Sequence, residues 1–327
     1  MRKLRPGDLV TVRGFREISS TLDHTDALDG LPFLLEMQKY CGRSFTVRRR
    51  VNKLIQEGVG ASMRRIKNVV LLDGTICDGQ AHGDCQRACF PLWKTAWLTA
   101  ADKNPNIPDE KMTPIPHHAA AEKSQVADTT ASGAVDGSAA AAILPRKGCQ
   151  VTELMSATTS LPLWDPRRHY WDITSRTYKP REYVNYILGG IYRKTIKRII
   201  GKMLKKKPAL FPPPVLPESL DLKPGDLVEV KSAAEIQATL NSEGKSRSLY
   251  FMPGMWDYCG RRLRALQPIE RMMSEKTGEM RALSQTVILE GVTCNGKAHG
   301  GCQRGCYVFW KDTWLRRVNE SPQNPQA

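Results

Sequence analysis

Four potential metal ligands stand close together in the order Cys77, His82, Cys85 and Cys89, and the same order returns as Cys294, His299, Cys302 and Cys306. The spacing in both is Cys-x4-His-x2-Cys-x3-Cys, and each set has a further cysteine upstream, Cys41 or Cys259. Thiolate and imidazole are donors that zinc takes in a tetrahedron. Thiolates, sometimes with histidine on one iron, also hold iron–sulfur clusters. The residue types therefore point to Zn2+ or an iron–sulfur cluster, one in each copy. The distant cysteine makes the donor set larger than either centre needs, so His82 or Cys41 would stand behind the ligands and orient them. Gly79 and Gly83 allow the loop to wrap closely around an ion. Buried, inert cysteines explain two copies at one spacing less well.

A repeated unit must position these residues. Residues 5–13 read RPGDLVTVR and residues 223–231 read KPGDLVEVK, an offset of 218. The offset persists through Phe33/Phe251, Met37/Met255 and Tyr40-Cys41-Gly42 against Tyr258-Cys259-Gly260. It then becomes 217, and residues 77–98 match residues 294–315 at 13 of 22 positions. Gln86-Arg87, Trp93-Lys94 and Trp97-Leu98 are kept with the ligands.

Within one unit, Pro-Gly-Asp is a turn signal, and Leu9–Val12 or Leu227–Val230 reads as a strand. A short helix or turn follows near Glu17–Leu22. Further strand-like runs are Phe45–Val47, Val69–Leu72 and Val287–Leu289. Short strands in about 95 residues suggest a small β-barrel, SH3-like in its order of segments. From Asp84 to Leu98, Cys85, Cys89, Trp93 and Trp97 recur every fourth residue, the period of one helix face. The expectation is a Cys-bearing helix closing each module, with its cysteines at the positive end of the dipole and their thiol pKa lowered. Trp93, Trp97, Trp310 and Trp314 suit core packing better than stacking on bases. Arg87 and Arg304 could donate hydrogen bonds to cluster sulfur or to phosphate, as cofactor-supporting residues.

The run Cys77-Asp78-Gly79-Gln80-Ala81-His82 resembles the CDGSH iron–sulfur family, whose motif is Cys-Asp-Gly-x-His. One extra residue here separates glycine from histidine, the Cys-x-Cys pair expected before it is missing, and Asp78 becomes Asn295 in the second copy. The resemblance covers six residues and implies a cluster. The wider pattern of Tyr-Cys-Gly, Cys-Asp-Gly-x-Ala-His-Gly-x-Cys and Trp-Lys-x-x-Trp-Leu looks like that of a family of bacterial proteins. That likeness spans both modules and implies no particular activity.

The fold class expected is α+β: two tandem SH3-like modules, residues 1–100 and 217–320, with a short tail at 321–327. Residues 101–148, rich in Ala, Ser, Pro and Asp, read as a disordered linker. Residues 149–216 form a central segment containing a basic amphipathic helix, whose lysines and arginines concentrate in residues 193–207. Cys149 lies outside both modules and reads as an ordinary thiol. The formal net charge of +16 favours an anionic partner,. Nucleic acid or a membrane surface would meet residues 193–207, and a protein partner is also compatible.

The chain shows no signal peptide and no apolar run of 18 residues, so a cytoplasmic, reducing location is expected, where clustered cysteines bind metal more often than they form disulfides. No nucleotide-binding loop, nucleophile elbow or zinc-protease helix is present. The expected function is metal binding by a tandem repeat that acts through binding or assembly with an anionic partner. One alternative is an iron–sulfur redox protein or accessory enzyme of a bacterial biosynthetic pathway. Another is an interaction protein whose metals only fold it.

Overall fold

The computed structural model describes residues 3–57, 62–101, 149–175, 178–179, 181–185 and 219–318. The linker and the basic run 193–207 lie outside these residues.

The described chain is mixed α and β, mostly strands with few helices. In module one the strands are β1 (Leu9–Val12), β2 (Ser44–Leu54), β3 (Arg64–Leu72), β4 (Trp93–Lys94) and β5 (Leu98–Ala100). They form a half-barrel sheet in the order β4-β3-β2-β1-β5, every pair antiparallel. A short helix, α1 (Phe15–Ser19), follows β1. Two further helices, α2 (Leu154–Ala157) and α3 (Arg167–Thr174), belong to the central segment. Module two repeats the sheet with β6 (Leu227–Val230), helix α4 (Ala233–Ala238), β7 (Arg262–Pro268), the hairpin β8 (Arg271–Met273) and β9 (Met280–Ala282), β10 (Thr286–Thr293), β11 (Tyr307–Lys311) and β12 (Leu315–Arg317). Its sheet order, β11-β10-β7-β6-β12, corresponds strand for strand to that of module one.

The two cores also match. Trp93, Trp97, Trp310 and Trp314 are fully buried. Phe33 meets Trp97 edge-on at 5.2 Å, and Phe251 meets Trp314 at 4.9 Å. Trp97 donates to Thr21 and Trp314 to Thr239, threonines at or just past the end of the first helix of each module. A buried indole usually finds such an acceptor.

The helix expected over 84–98 does not form. Asp84 and Ala88 adopt left-handed φ values of 53° and 52°, which no α-helix accommodates,. Trp93 lies in β4, and Trp97 in a 3-10 turn before β5. Pro91 would also break a helix at its middle. The four-residue spacing of Cys85, Cys89, Trp93 and Trp97 is a coincidence of an irregular loop running into a strand. The helix dipole consequently plays no part at the cysteines.

The modules are docked on each other, and the docking is reciprocal. Gln86 Oε1 accepts the backbone N–H groups of Glu270 and Arg271. Gln303 Oε1 accepts those of Asn52 and Lys53, the positions 218 earlier. Gly83 faces Met280, and Gly300 faces Met63. Phe90 stacks on its own counterpart Tyr307 at 5.1 Å. Contacts made in both directions by equivalent residues are those of a two-fold dimer, here built inside one chain.

Near the centre of this interface Arg87 and Arg304 are both buried and both pair with Glu275, at 2.7 and 2.9 Å. Arg87 also reaches the half-exposed Glu57 at 3.1 Å. Burial alone would push the Glu275 carboxyl up, but Arg304 and Arg87 outweigh it and hold the carboxyl below its ordinary value of 4.5. A lowered folded value means that this stabilisation is present above pH 4.5 and is lost as pH falls through the folded value,. Stability against urea, followed from pH 6 downward, is expected to decline below about 4.5, and the decline is expected to be shallower in Glu275→Gln.

The central segment spans both modules. Gln150 accepts from Leu92 N–H and donates to Leu92 O and Pro32 O in module one. In α3, Asp172 pairs at 2.6 Å with Lys53, whose ammonium also donates to Gly300 O of module two. Tyr178 donates to Lys297 O in the Cys–His loop of module two.

Candidate metal centre

The Cys–His loop begins where β3 ends. Cys77 N–H donates to Cys89 O at 2.8 Å, which closes the loop at its base. Gly79 lies at φ 77°, and its Cα packs against the Cys85 backbone so tightly that a Cβ would sit 2.0 Å from Cys85 O. Only glycine satisfies both conditions. The next residues, Gln80–His82, form one 3-10 turn that directs His82 inward.

His82 meets two partners that a metal would share. Its Nε2 is 3.5 Å from Cys77 Sγ, and its Nδ1 is 3.5 Å from Glu36 Oε1. Cys77 Sγ is 3.4 Å from the same carboxylate oxygen. Glu36 comes from the 3-10 helix Leu35–Tyr40, which the first module packs against the loop. One ligand atom from each of Glu36, Cys77 and His82 lies within 4.8 Å of the others, so this buried group could hold a metal ion. Glu36 Oε2 is buried and has no hydrogen-bond partner. A buried carboxylate oxygen left alone is costly, and a cation would satisfy it. Carboxylate, thiolate and imidazole are all zinc ligands.

A small cavity of about 30 Å3 adjoins the group, and Cys85, Cys89, Cys149 and Cys306 also line it. It has room for an ion and little more. Arg87 and Arg304 reach the same cavity, so the charged centre of the interface and the thiols are neighbours. Arg87 Nε and Nη1 are buried there without hydrogen-bond partners.

The thiols differ in ways the sequence does not indicate. Burial pushes the Cys77 thiol well above the ordinary range, with Cys89 and Glu36 adding to the effect. Burial likewise pushes Cys89 up, although Arg87 opposes it, and it pushes Cys302 up to about 11. Burial works upward on Cys85 too, but the hydrogen bond with His82 and the backbone N–H of Met273 hold it below the usual thiol value. The lowered thiol pKa expected from a helix N-terminus is therefore absent at Cys89 and Cys302, and at Cys85 its source is His82 and module two.

Cys41 and Cys259 cap the 3-10 helices that precede β2 and β7, half-buried at the core edge. Neither joins a compact donor group among the described residues. In module two, Cys294, His299, Cys302 and Cys306 occupy the same loop positions. Among the described residues no three of them come together as a compact donor group, so the structure does not assemble the centre expected in the second copy. The counterpart of Glu36 is Gly254.

Sequence reasoning missed Glu36 and Cys149. Glu36 is not kept in the second copy, and a search for repeated donors passes over it. Cys149 lies 60 residues beyond Cys89 and reaches the cavity only because Cys149–Ala157 packs on module one.

The chain matches no protein-family model, no curated protein and no solved structure with which it was compared. Among the described residues, no helix is long and apolar enough to cross a membrane.

Proposed function

We propose that module one holds a single zinc-type ion through Glu36, Cys77 and His82, and that the protein acts by binding or assembly. The observation that carries this is the buried, unpartnered Glu36 Oε2 beside a thiol and an imidazole. Cys85 lines the same cavity and is at hand as a fourth ligand. The ion would fix the loop whose next residues, Gln86 and Arg87, grip module two, so its role is to organise the interface. Bound zinc would neutralise the Glu36 and Cys77 charges, and the Cys77 proton would leave to solvent on uptake.

The matching strand order and the 3-10 turn before the last strand support reading each module as an SH3-like barrel. An anionic partner, nucleic acid or membrane surface, would meet residues 193–207, supported by the net charge of +16.

Metal analysis of anaerobically purified protein tests the proposal. About one zinc per chain is expected, and Cys77→Ser and His82→Gln are each expected to lose it. Iron with acid-labile sulfide, and a visible absorption band, would favour the redox alternative, for which the unpartnered Arg87 N–H groups beside the thiols are the supporting observation. Protein without metal under every condition would refute both.

A further inference from the structure

Module two departs from module one in the space beside its Cys–His loop. Leu34, Glu36, Met37 and Cys77 line the small cavity of module one. Their counterparts Met252, Gly254, Met255 and Cys294 all line one cavity of module two. The first measures about 30 Å3 and the second about 280 Å3. The loop backbone is the same in both. Cys294 N–H donates to Cys306 O at 2.7 Å and His299 N–H to Gly296 O at 2.9 Å, against 2.8 and 3.1 Å for the same bonds in module one. What changes is the side chains, because the buried Glu36 gives way to Gly254.

The chemistry at the mouth changes with the volume. In module one, Lys39 of the 3-10 helix pairs with Asp78 of the loop at 2.7 Å. In module two those positions are Asp257 and Asn295, so the ion pair is gone and a carboxylate stands in the place of the lysine. Tyr40 accepts the Ile76 N–H and donates to Ile76 O. Among the described residues its counterpart Tyr258 makes neither bond with Thr293, and both line the cavity. Arg261 lines it too, over the Tyr258 ring at 5.5 Å. Asp257 and Arg261 are exposed, and among the described residues no ion pair joins them. Met255 and Val308 are buried and give the cavity an apolar floor, with Met252 beside them. One cavity thus combines a carboxylate, a guanidinium and an apolar floor. Its volume is near the lower end of small-molecule pockets, about 300 Å3.

We infer that this cavity binds a free α-amino acid with an apolar side chain. The ammonium meets Asp257, the carboxylate meets Arg261, and the side chain lies against Met252, Met255 and Val308. A zwitterion suits this mouth because each of its charges faces the opposite one, and charge-assisted contacts of that kind are the strong ones. Binding is non-covalent, and no proton or electron is transferred. Module one excludes the same ligand, since Glu36 occupies the space and the Lys39–Asp78 pair closes the mouth. The inference uses no ligand of the proposed zinc ion, so it stands or falls apart from that proposal.

The test titrates the full chain, labelled with methyl-13C methionine, with free L-leucine. The Met252 methyl resonance is identified by its loss in Met252→Leu. It is expected to move saturably, with half-saturation at or below about 1 mM. N-acetyl-leucine lacks the ammonium and leucinamide lacks the carboxylate. Each is expected to bind about threefold to tenfold more weakly, the range between a solvent-screened ion pair and a charged hydrogen bond. Asp257→Asn and Arg261→Gln are expected to weaken leucine binding by a similar factor. Gly254→Glu restores the side chain of module one and is expected to abolish leucine binding. Thermal unfolding checks that this variant is folded, and the two exposed-position variants carry the test if it is not. A Met252 resonance that stays fixed at about 10 mM leucine would overturn the inference. So would N-acetyl-leucine and leucinamide binding as tightly as leucine, or a folded Gly254→Glu protein with unchanged leucine affinity.

Discussion

Replacing Glu275 by alanine is expected to destabilise the protein by about 3–5 kcal/mol, the cost of removing one partner from a buried ion pair. The side chain is fully buried and accepts from Arg304 while pairing with Arg87. Without it two guanidinium groups stay buried at the interface, Arg87 keeping the half-exposed Glu57 and Arg304 the Ile55 carbonyl. Glu275 also accepts the Glu57 N–H, so backbone registration between the modules goes with it. Glu57→Ala is the control. Its carboxylate is 58% exposed, and solvent screening keeps such a pair to about 0–1 kcal/mol. Urea unfolding of the two variants gives the comparison. Equal losses would mean that Glu275 is not the anchor of the docking.

Gly79→Ala carries the second large effect, and it separates the loop from the rest of module one. At φ 77° an alanine is strained by roughly 1–2 kcal/mol,. Its Cβ would also lie 2.0 Å from Cys85 O, a backbone atom that cannot rotate away. The loop must open, and Cys77 and His82 lose their common geometry. Loss of the proposed ion is expected together with a stability loss larger than the φ strain alone. Gly42→Ala has nearly the same φ, 76°, but nothing within 4 Å of the added carbon. That variant is expected to show the strain and keep the proposed ion. Metal content and thermal unfolding of the pair decide it: a Gly79→Ala protein that retains a full complement of metal would remove this loop from the site.

Both predictions depend on geometry that the repeated sequence only partly discloses. The tryptophans were legible, because a large apolar residue kept in both copies belongs in a core. The strand order was partly legible from alternation in Leu9–Val12 and Leu227–Val230. The closing helix was misread because a four-residue period is informative only when the backbone is helical. Asp84 and Ala88, in left-handed conformations, show that here it is not.

The sequence by itself determined that one pattern occurs twice, and that each copy carries Cys, His, Cys and Cys at one spacing, with glycines fixed two residues after the first cysteine and one after the histidine. Local spacing and steric demands on glycine suffice for that, since both act within a few residues. The tertiary structure alone decided which side chains gather there. Glu36 reaches Cys77 and His82 across 41 and 46 residues, and Cys149 arrives from beyond the module. It also decided that Arg87 and Arg304 serve the interface through Glu275. Such pairings follow from how sheets fold back and modules dock, where burial forces every charge to find a partner, and no spacing rule along the chain carries that information.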